Sequence, residues 1–189
     1  MIRASATTEN RSATISIEGI SAKIYVSQSK YKIGDDYSEN GVEGKVYSME
    51  NGEGHIYRYF DGEYAWSNEK VDLADAASPT DGQANTAAVK RVPGWKDLYP
   101  AFAKVDELNK GNVTGWYMPA MELLKFQKID LHLPLGYGYD CWTSTGKGVN
   151  DAMTINYSAG EFYDNVQNRS KGYPLHIIAV HDFSYDFTK

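Results

Sequence analysis

The side chains of this chain that are capable of chemistry show no catalytic arrangement. None of its four histidines has the spacing typical of a metal site; they are His55, His132, His176 and His181. Cys141 has no second cysteine, which excludes an internal disulfide and dithiol chemistry, and the neighbouring Asp140 disfavours its thiolate. No phosphate-binding loop, nucleophile elbow or dinucleotide fingerprint is present. We therefore predict a protein that is not an enzyme.

Two alternatives stay open because acidic residues are numerous. Residues 35–81 hold twelve acids and three bases, in a chain of net charge −6. A pair of carboxylates could make an unrecognised hydrolase, since the geometry of such a pair is invisible in sequence. The same stretch is typical of a solvated face, and oxygen ligands for calcium abound in it, although no EF-hand spacing is present. We predict no cofactor and leave calcium as the open alternative.

Aromatic and amide side chains alternate through residues 136–173. Tyrosine supplies rigid stacking area at low entropic cost, while asparagine and aspartate supply adaptable hydrogen bonds, and sugars bind to that combination. We predict a ligand-binding site composed of Tyr139, Trp142, Asn150, Asn156, Tyr157, Tyr163, Asn165 and Asn168. The competing interpretation is that half of these aromatic residues are core and that the polar ones belong to turns.

The charge and hydropathy of the chain exclude several classes of partner. With 25 acids against 19 bases, the chain lacks the basic face of a nucleic-acid binder and of a protein that docks on anionic membranes. No apolar run approaches the ~20 residues of a membrane span, so we predict no membrane insertion of this fragment.

Hydrophobic periodicity and turn residues predict strands at both ends of the chain and helices between them. Alternating residues around Glu18-Gly19 predict a β-hairpin within residues 1–28, and Asp61-Gly62 is a two-residue hairpin signal. The most apolar run, 175–180, is predicted to be a central strand. The other predicted strands are 44–48, 55–60, 64–67, 142–144, 152–157 and 161–163, and the predicted helices are 83–89, 97–109 and one starting at Pro119. This order indicates an α+β fold.

From Tyr31 onward, five ordered landmarks carry a resemblance to a known family. They are Gly44-Lys45-Val46-Tyr47, Asp81-Gly82-Gln83-Ala84-Asn85-Thr86, Trp116-Tyr117-Met118-Pro119, Trp142-Thr143-Ser144-Thr145 and Ile178-Ala179-Val180. In order and spacing the chain resembles the Lcl C-terminal domain family, named after a collagen-like surface adhesin, over residues 31–183. The resemblance implies a C-type-lectin-like domain with short twisted antiparallel strands and two or three helices.

The landmark residues themselves are expected to be structural. We interpret Trp116, Tyr117 and Trp142 as packing residues rather than ligand contacts, although Trp142 also belongs to the predicted site. Asp81, Asn85 and Thr86 are of the types that cap helices and turns.

The N-terminal hairpin resembles the closing strands of a BACON-type immunoglobulin-like domain. The residues concerned are Arg11-Ser12-Ala13-Thr14-Ile15 and Val26-Ser27-Gln28, each in a predicted strand. We therefore expect a boundary near residue 30, with residues 1–28 as terminal strands of such a domain or a simple hairpin, and 31–189 as the main domain. An ordinary hairpin packed on the main domain is the equal alternative.

Three hypotheses for function follow. The first is a non-catalytic recognition or adhesion domain at the cell surface or outside the cell, part of a longer protein, which binds a glycan or a surface protein. The second is an assembly module of a fibre, stalk or tail protein, including a homo-oligomer such as a trimer, or a display scaffold with variable residues 150–168. The third is the unrecognised hydrolase.

Tyr163 is the residue on which the predicted site is tested most directly. In the run 153–157, alternation puts Tyr157 on the face opposite Asn156 unless a bulge intervenes, so Tyr163 is the better candidate for an exposed anchor. We expect Tyr163→Ala to weaken ligand binding by about 2 kcal/mol while the melting temperature barely changes. A large fall in melting temperature would show that Tyr163 is a core residue.

Overall fold

The structure, a computed structural model, describes residues 9–122 except 17, 20 and 22, and residues 139–185 except 159 and 160. For residues 139, 157, 158 and 161–166 it describes the backbone alone. The described chain is strand-rich with three α-helices, so the predicted α+β class is confirmed. The chain forms two compact units, one containing residues up to Ile56 together with those from Asp182, and the other Tyr57–His181.

The elements follow one another in the order strands, helices, strands. The strands are β1 (Arg11–Ser16), β2 (Lys23–Gln28), β3 (Asp36–Glu39), β4 (Val42–Glu50), β5 (Glu53–Tyr59), β6 (Tyr64–Ala65), β7 (Tyr139–Lys147), β8 (Asp151–Ser158), β9 (Glu161–Ser170), β10 (Pro174–Leu175) and β11 (Ile178–Ser184). The helices are α1 (Gly82–Lys90), α2 (Trp95–Leu98) and α3 (Pro100–Asp106), preceded by a 3-10 turn at Ala74–Ala76. The strands form sheets of order β1-β2, β10-β6, β11-β5-β4-β3 and β7-β8-β9.

The first unit is built from hairpins whose turns suit the twist of the strands. The predicted N-terminal hairpin is confirmed as β1 and β2, in antiparallel register from Arg11–Gln28 to Ser16–Lys23. Asn40-Gly41 and Asn51-Gly52 follow β3 and β4, and all four residues have positive φ. Asparagine followed by glycine accepts that conformation at low cost, which makes it the preferred two-residue hairpin turn.

An aromatic cluster fills the interior of the first unit. The Tyr37 ring lies 4.8 Å from that of Tyr31 and 4.6 Å from that of Phe183, measured between centroids. Burial raises the pKa of Tyr37 to about 12. Gly54 is required beneath Phe183, because a Cβ there would overlap the ring.

The second unit has its core around two tryptophans. Trp66 and Trp142 are both fully buried. The Trp66 ring meets those of Tyr99 and Phe102 edge to face, at centroid distances of 5.6 and 5.1 Å. The Trp66 Nε1–H donates to Thr143 O at 2.9 Å, and the Trp142 Nε1–H donates to Tyr64 O at 2.9 Å. The segment of each tryptophan therefore accepts the indole hydrogen bond of the other.

Helix α1 confirms the predicted helix and its cap. The Asp81 carboxylate accepts from Ala84 N at 2.8 Å. The next residue, Gly82, has to be a glycine, because a Cβ there would lie 2.6 Å from Met118 O. Asn85 is fully buried and donates to Ser78 O and to Ser144 Oγ. Thr86 Oγ1 accepts from Met118 N at 3.2 Å. The Asp-Gly-x-x-Asn-Thr landmark is thus structural, as predicted.

Three predictions of elements are wrong in part. The predicted helix 97–109 is two helices, because Tyr99 before Pro100 adopts φ −125° and ψ 74° instead of helical values. Asp61-Gly62 does not close a hairpin, since β6 pairs with β10. The predicted central strand 175–180 is divided between β10 and β11, and β11 is an edge strand of the four-stranded sheet. Ile178–Val180 are nevertheless buried, as predicted.

Two further predictions are a helix starting at Pro119 and the absence of a membrane-spanning segment. The predicted helix from Pro119, with Leu123, Leu124 and Phe126 in its apolar face, lies mostly outside the described residues. Among the described helices, none combines the length and hydropathy needed to cross a membrane.

The carboxylate of Asp106 connects the three helices. It forms ion pairs with Lys90 of α1 and Lys96 of α2, and Asn109 donates to it. Burial alone raises the pKa of this carboxyl, but the hydrogen bond and charge of Lys90, together with Asn109 and Lys96, outweigh that effect, so the pKa is lowered.

A lowered carboxyl pKa in the folded state makes stability depend on pH. The stabilisation is complete above the unfolded-state pKa of about 3.9 and is lost as the pH falls through the lower folded-state value. We expect Asp106→Asn to cost about 1–2 kcal/mol at pH 7 and to cost progressively less as the pH falls from about 5 to 2. Urea unfolding across that range measures it, and a pH-independent cost would contradict the assignment.

Candidate binding face

The three-stranded sheet β7-β8-β9 contains seven of the eight predicted site residues, all except Asn150. Its register aligns Tyr139 with Tyr157 and Phe162 in one row, and Asp140 with Asn156 and Tyr163 in the next. Residues directly opposite one another in antiparallel strands lie on the same face. The sheet therefore brings Asn156 and the backbone of Tyr163 together. Trp142 and Asn168 occupy later rows of the same sheet.

A bulge interrupts the pairing beside that row. Ile155 pairs with Val166 and Asn156 with Tyr163, so Asp164 and Asn165 are two additional residues on β9. Additional residues in one strand bend it and increase its local twist. The bulge lies at the position where simple alternation would have fixed the direction of Tyr157. The side chains of Tyr139, Tyr157, Tyr163 and Asn165 lie outside the described part of the structure, and their roles stay predictions.

The central feature of this face is a cluster of three polar side chains, Asp140, Asn156 and Arg169, which we call the polar cluster. Arg169 Nε donates to Asp140 Oδ2 at 2.8 Å, and Arg169 Nη2 forms an ion pair with the same oxygen at 2.7 Å. Asn156 Nδ2 donates to Asp140 Oδ1 at 3.1 Å. The Asp140 side chain is 11% exposed and that of Arg169 43% exposed. The cluster is thus anchored by a nearly buried carboxylate and opens to solvent at the guanidinium.

The other two asparagines of the predicted site lie at the opposite end of the sheet. Asn168 is exposed, and its Oδ1 accepts from Lys147 Nζ at 3.2 Å. Asn150 is exposed in the turn between β7 and β8, and its backbone oxygen accepts from Lys171 N. Because Asn156 lies across the bulge from Asn168, the structure does not bring all the predicted asparagines into one site.

The inclusion of Trp142 among the ligand-binding residues is wrong. Its ring has no exposed surface, and its one polar atom is already bonded to Tyr64 O. The interpretation of Trp142 as a packing residue is the one that the structure bears out. Trp116 and Tyr117 are likewise buried.

A buried lysine fixes the turns that flank the far end of the sheet. Lys171 is 2% exposed, and its Nζ donates to Val71 O and Gly148 O at 2.8 and 2.7 Å. The ammonium also lies 4.6 Å from the centroid of the Trp66 ring. Burial lowers the pKa of Lys171, with Asp72 and Asp151 opposing that shift. Its hydrogen bonds join the loop at Val71 to the turn that follows β7.

The described part of the chain provides no metal site, and its one cysteine is a poor nucleophile. They contain no group of three or more His, Cys, Asp or Glu side chains able to hold a metal ion. Cys141 is fully buried on β7, and burial followed by the charge of Asp140 raises the pKa of its thiol. His176 Nδ1 lies 3.2 Å from Tyr59 Oη, and His181 Nε2 donates to Thr114 O at 2.8 Å.

Sequence reasoning missed Asp140 and Arg169 as site residues. Asp140 could not have been found by counting back from the turn 148–150, because a register shift between Trp142 and Gly146 intervenes, and simple counting would pair Asn156 with Trp142. Arg169 could not be found either, because it pairs with Ala152, four residues from Asn156 along β8. Only the bend of β9 and the length of the arginine side chain bring it to Asp140.

Comparison with known proteins adds no identification. No family model, no curated protein and no solved structure matches this chain.

Trp142→Phe distinguishes a packing role from a binding role. Phenylalanine preserves most of the buried ring but leaves Tyr64 O without its donor, so we expect a loss of about 2 kcal/mol of unfolding free energy. Denaturant unfolding measures this loss. The control is Trp95→Phe, whose partly exposed ring contacts Lys90 and Lys96, and it should cost less than about 1 kcal/mol. Unchanged stability in Trp142→Phe would contradict the packing role.

Proposed function

We propose that this protein is a non-catalytic recognition or adhesion domain that binds a glycan or a surface protein through the β7-β8-β9 sheet. It acts at the cell surface or outside the cell, as part of a longer polypeptide. The single observation that carries the proposal is the polar cluster, in which a nearly buried aspartate holds a half-exposed arginine and an asparagine in one orientation.

The cluster has the properties of a preorganised recognition site. Its side chains come from three different strands and are fixed by charge-assisted hydrogen bonds, which are stronger than those between neutral groups. A ligand that binds such groups does not have to order them first, and this lowers the entropic cost of binding. Tyr163 pairs with Asn156 in the backbone register, and it remains the residue predicted from sequence to be the aromatic anchor.

We propose further that the fold is C-type-lectin-like and related to the Lcl C-terminal domain family. This proposal is supported by the hydrogen bonds through which the landmark residues stabilise the fold. Asp81 caps α1, Asn85 donates to Ser144 Oγ and Thr86 Oγ1 accepts from Met118 N. Trp142 donates to Tyr64 O. Residues with such structural roles are the ones that proteins of a shared fold would retain.

The second candidate, an assembly module, is favoured by the N-terminal hairpin. Ile24, Tyr25 and Val26 of β2 are 53, 61 and 39% exposed. The cross-strand pairs Ala13–Val26 and Ile15–Ile24 place apolar residues on one face of a two-stranded sheet, and such a sheet is marginal in water. Two adjoining clefts of about 590 and 410 Å³ share Ser27 and Tyr185 beside it. Light scattering after size exclusion decides this alternative, since a stable trimer that Ile24→Lys dissociates would favour assembly.

The recognition function is tested with a glycan array and a pulldown from surface-protein extracts. We expect Arg169→Ala and Asn156→Ala each to weaken binding by about tenfold, because each removes a group that the cluster presents to solvent. The matched control is Arg91→Ala, which breaks an exposed ion pair between Arg91, just after α1, and Asp75 in the 3-10 turn, and which should bind like the parent. The absence of any glycan or protein ligand would refute the proposal, and so would equal binding by all four proteins.

A further inference from the structure

Resting on the proposed function, we infer that the polar cluster recognises a neutral glycan through two adjacent hydroxyl groups, and that Asp140 is the positioning residue that imposes this neutrality. The inference names the class of ligand for the site and the residue that sets its charge preference. It is carried by the arrangement of the three side chains and by which of their atoms stay available.

Asp140 is fully engaged within the cluster. Its Oδ2 accepts from Nε of Arg169 and is ion-paired with Nη2, and its Oδ1 accepts from Asn156 Nδ2. The carboxylate is 11% exposed. Asp140 therefore acts on the ligand through its two neighbours and not by direct contact.

The carboxylate fixes which end of the Asn156 amide faces outward. An ionised carboxylate only accepts hydrogen bonds, so the amide nitrogen must point to Asp140 and the amide oxygen must point away. Among the described residues, Asn156 Oδ1 has no hydrogen-bond partner. The cluster thus presents a hydrogen-bond acceptor at Asn156.

Arg169 presents the complementary donor. Its Nε donates to Asp140 and its Nη2 is ion-paired with the same carboxylate, and within the described part of the chain Nη1 has no partner. The Nε–Nη2 edge is one of the two edges with which a guanidinium binds a carboxylate, phosphate or sulfate bidentately, and Asp140 already occupies it. The charge of Arg169 is also compensated at 2.7 Å. An anionic ligand consequently finds only the Nη1–Nη2 edge, on a guanidinium whose positive charge Asp140 already compensates.

A donor beside an acceptor fits neighbouring hydroxyl groups. Each hydroxyl both donates and accepts, so one can accept from Arg169 Nη1 while the next donates to Asn156 Oδ1. A pair of adjacent hydroxyls is the repeating feature of neutral sugars. The net charge of the cluster, with one aspartate and one arginine, adds no preference for an acidic sugar.

The experiment compares neutral oligosaccharides with the same oligosaccharides carrying a terminal sialic or uronic acid, all immobilised on one array. We expect the parent protein to bind the neutral members at least about tenfold more tightly than the acidic ones. In Asp140→Asn, the guanidinium loses its counter-charge and its fixed orientation. Neutral binding should then fall about tenfold, and binding of the acidic members should rise.

The matched control is Asp75→Asn, which neutralises the aspartate of the exposed Arg91 pair and should leave both affinities unchanged. Circular dichroism and melting temperature report folding of each variant. If Asp140→Asn does not fold, Arg169→Lys replaces it, since lysine keeps the charge but lacks the planar fork. Neutral binding should again fall about tenfold.

A parent protein that prefers the acidic members would overturn the inference. An Asp140→Asn variant with unchanged charge preference would overturn it too, as would an Arg169→Lys variant with unchanged affinity. Binding to a surface protein but to no glycan would also overturn it and leave the proposed function standing. Binding to neither would overturn both.

Discussion

Two buried indole N–H groups determine the arrangement of the second unit. An unpaired N–H in the core costs free energy, so Trp66 and Trp142 must each reach a backbone oxygen, and each finds it in the other's segment. This reciprocal bonding permits one alignment of the segment 64–66 against β7. Tyr99 and Phe102 then close over Trp66, and β6 is left to pair with β10. Asp140, two residues before Trp142, acquires its position from the same alignment.

How much of the fold sequence reasoning could reach depended on the range of the interactions involved. The hairpin turns, the Asp81 cap and the α+β order were predictable because they rest on neighbouring residues. The break at Tyr99 was also local, and Pro100 was the signal that indicated it. The pairing of β6 with β10 was beyond reach, because Asp61-Gly62 specifies a turn but not the sheet in which the following strand is placed.

The candidate site divides in the same way. The place of Asn156 in a strand follows from the alternation in residues 152–157, but its alignment with Asp140 and with Tyr163 does not, because each of the two strand pairings contains a register shift. Trp142 could not be assigned by residue type, since a tryptophan suits a core and a sugar site equally. The contact of Arg169 with Asp140 depends on a bend in β9 that no local pattern announces. The landmark residues hold backbone segments together, so their order bears on the fold and not on the ligand.

Cys141 has a consequence for how the protein behaves in oxidising surroundings. Its sulfur is enclosed on β7, and the raised pKa keeps it as the thiol, which is the unreactive form. Cys141 therefore offers no thiolate that could react with an oxidant, with glutathione or with the cysteine of another copy. Folded copies are therefore not expected to be linked through a Cys141 disulfide, and a disulfide-linked dimer on a non-reducing gel would report molecules that had unfolded first.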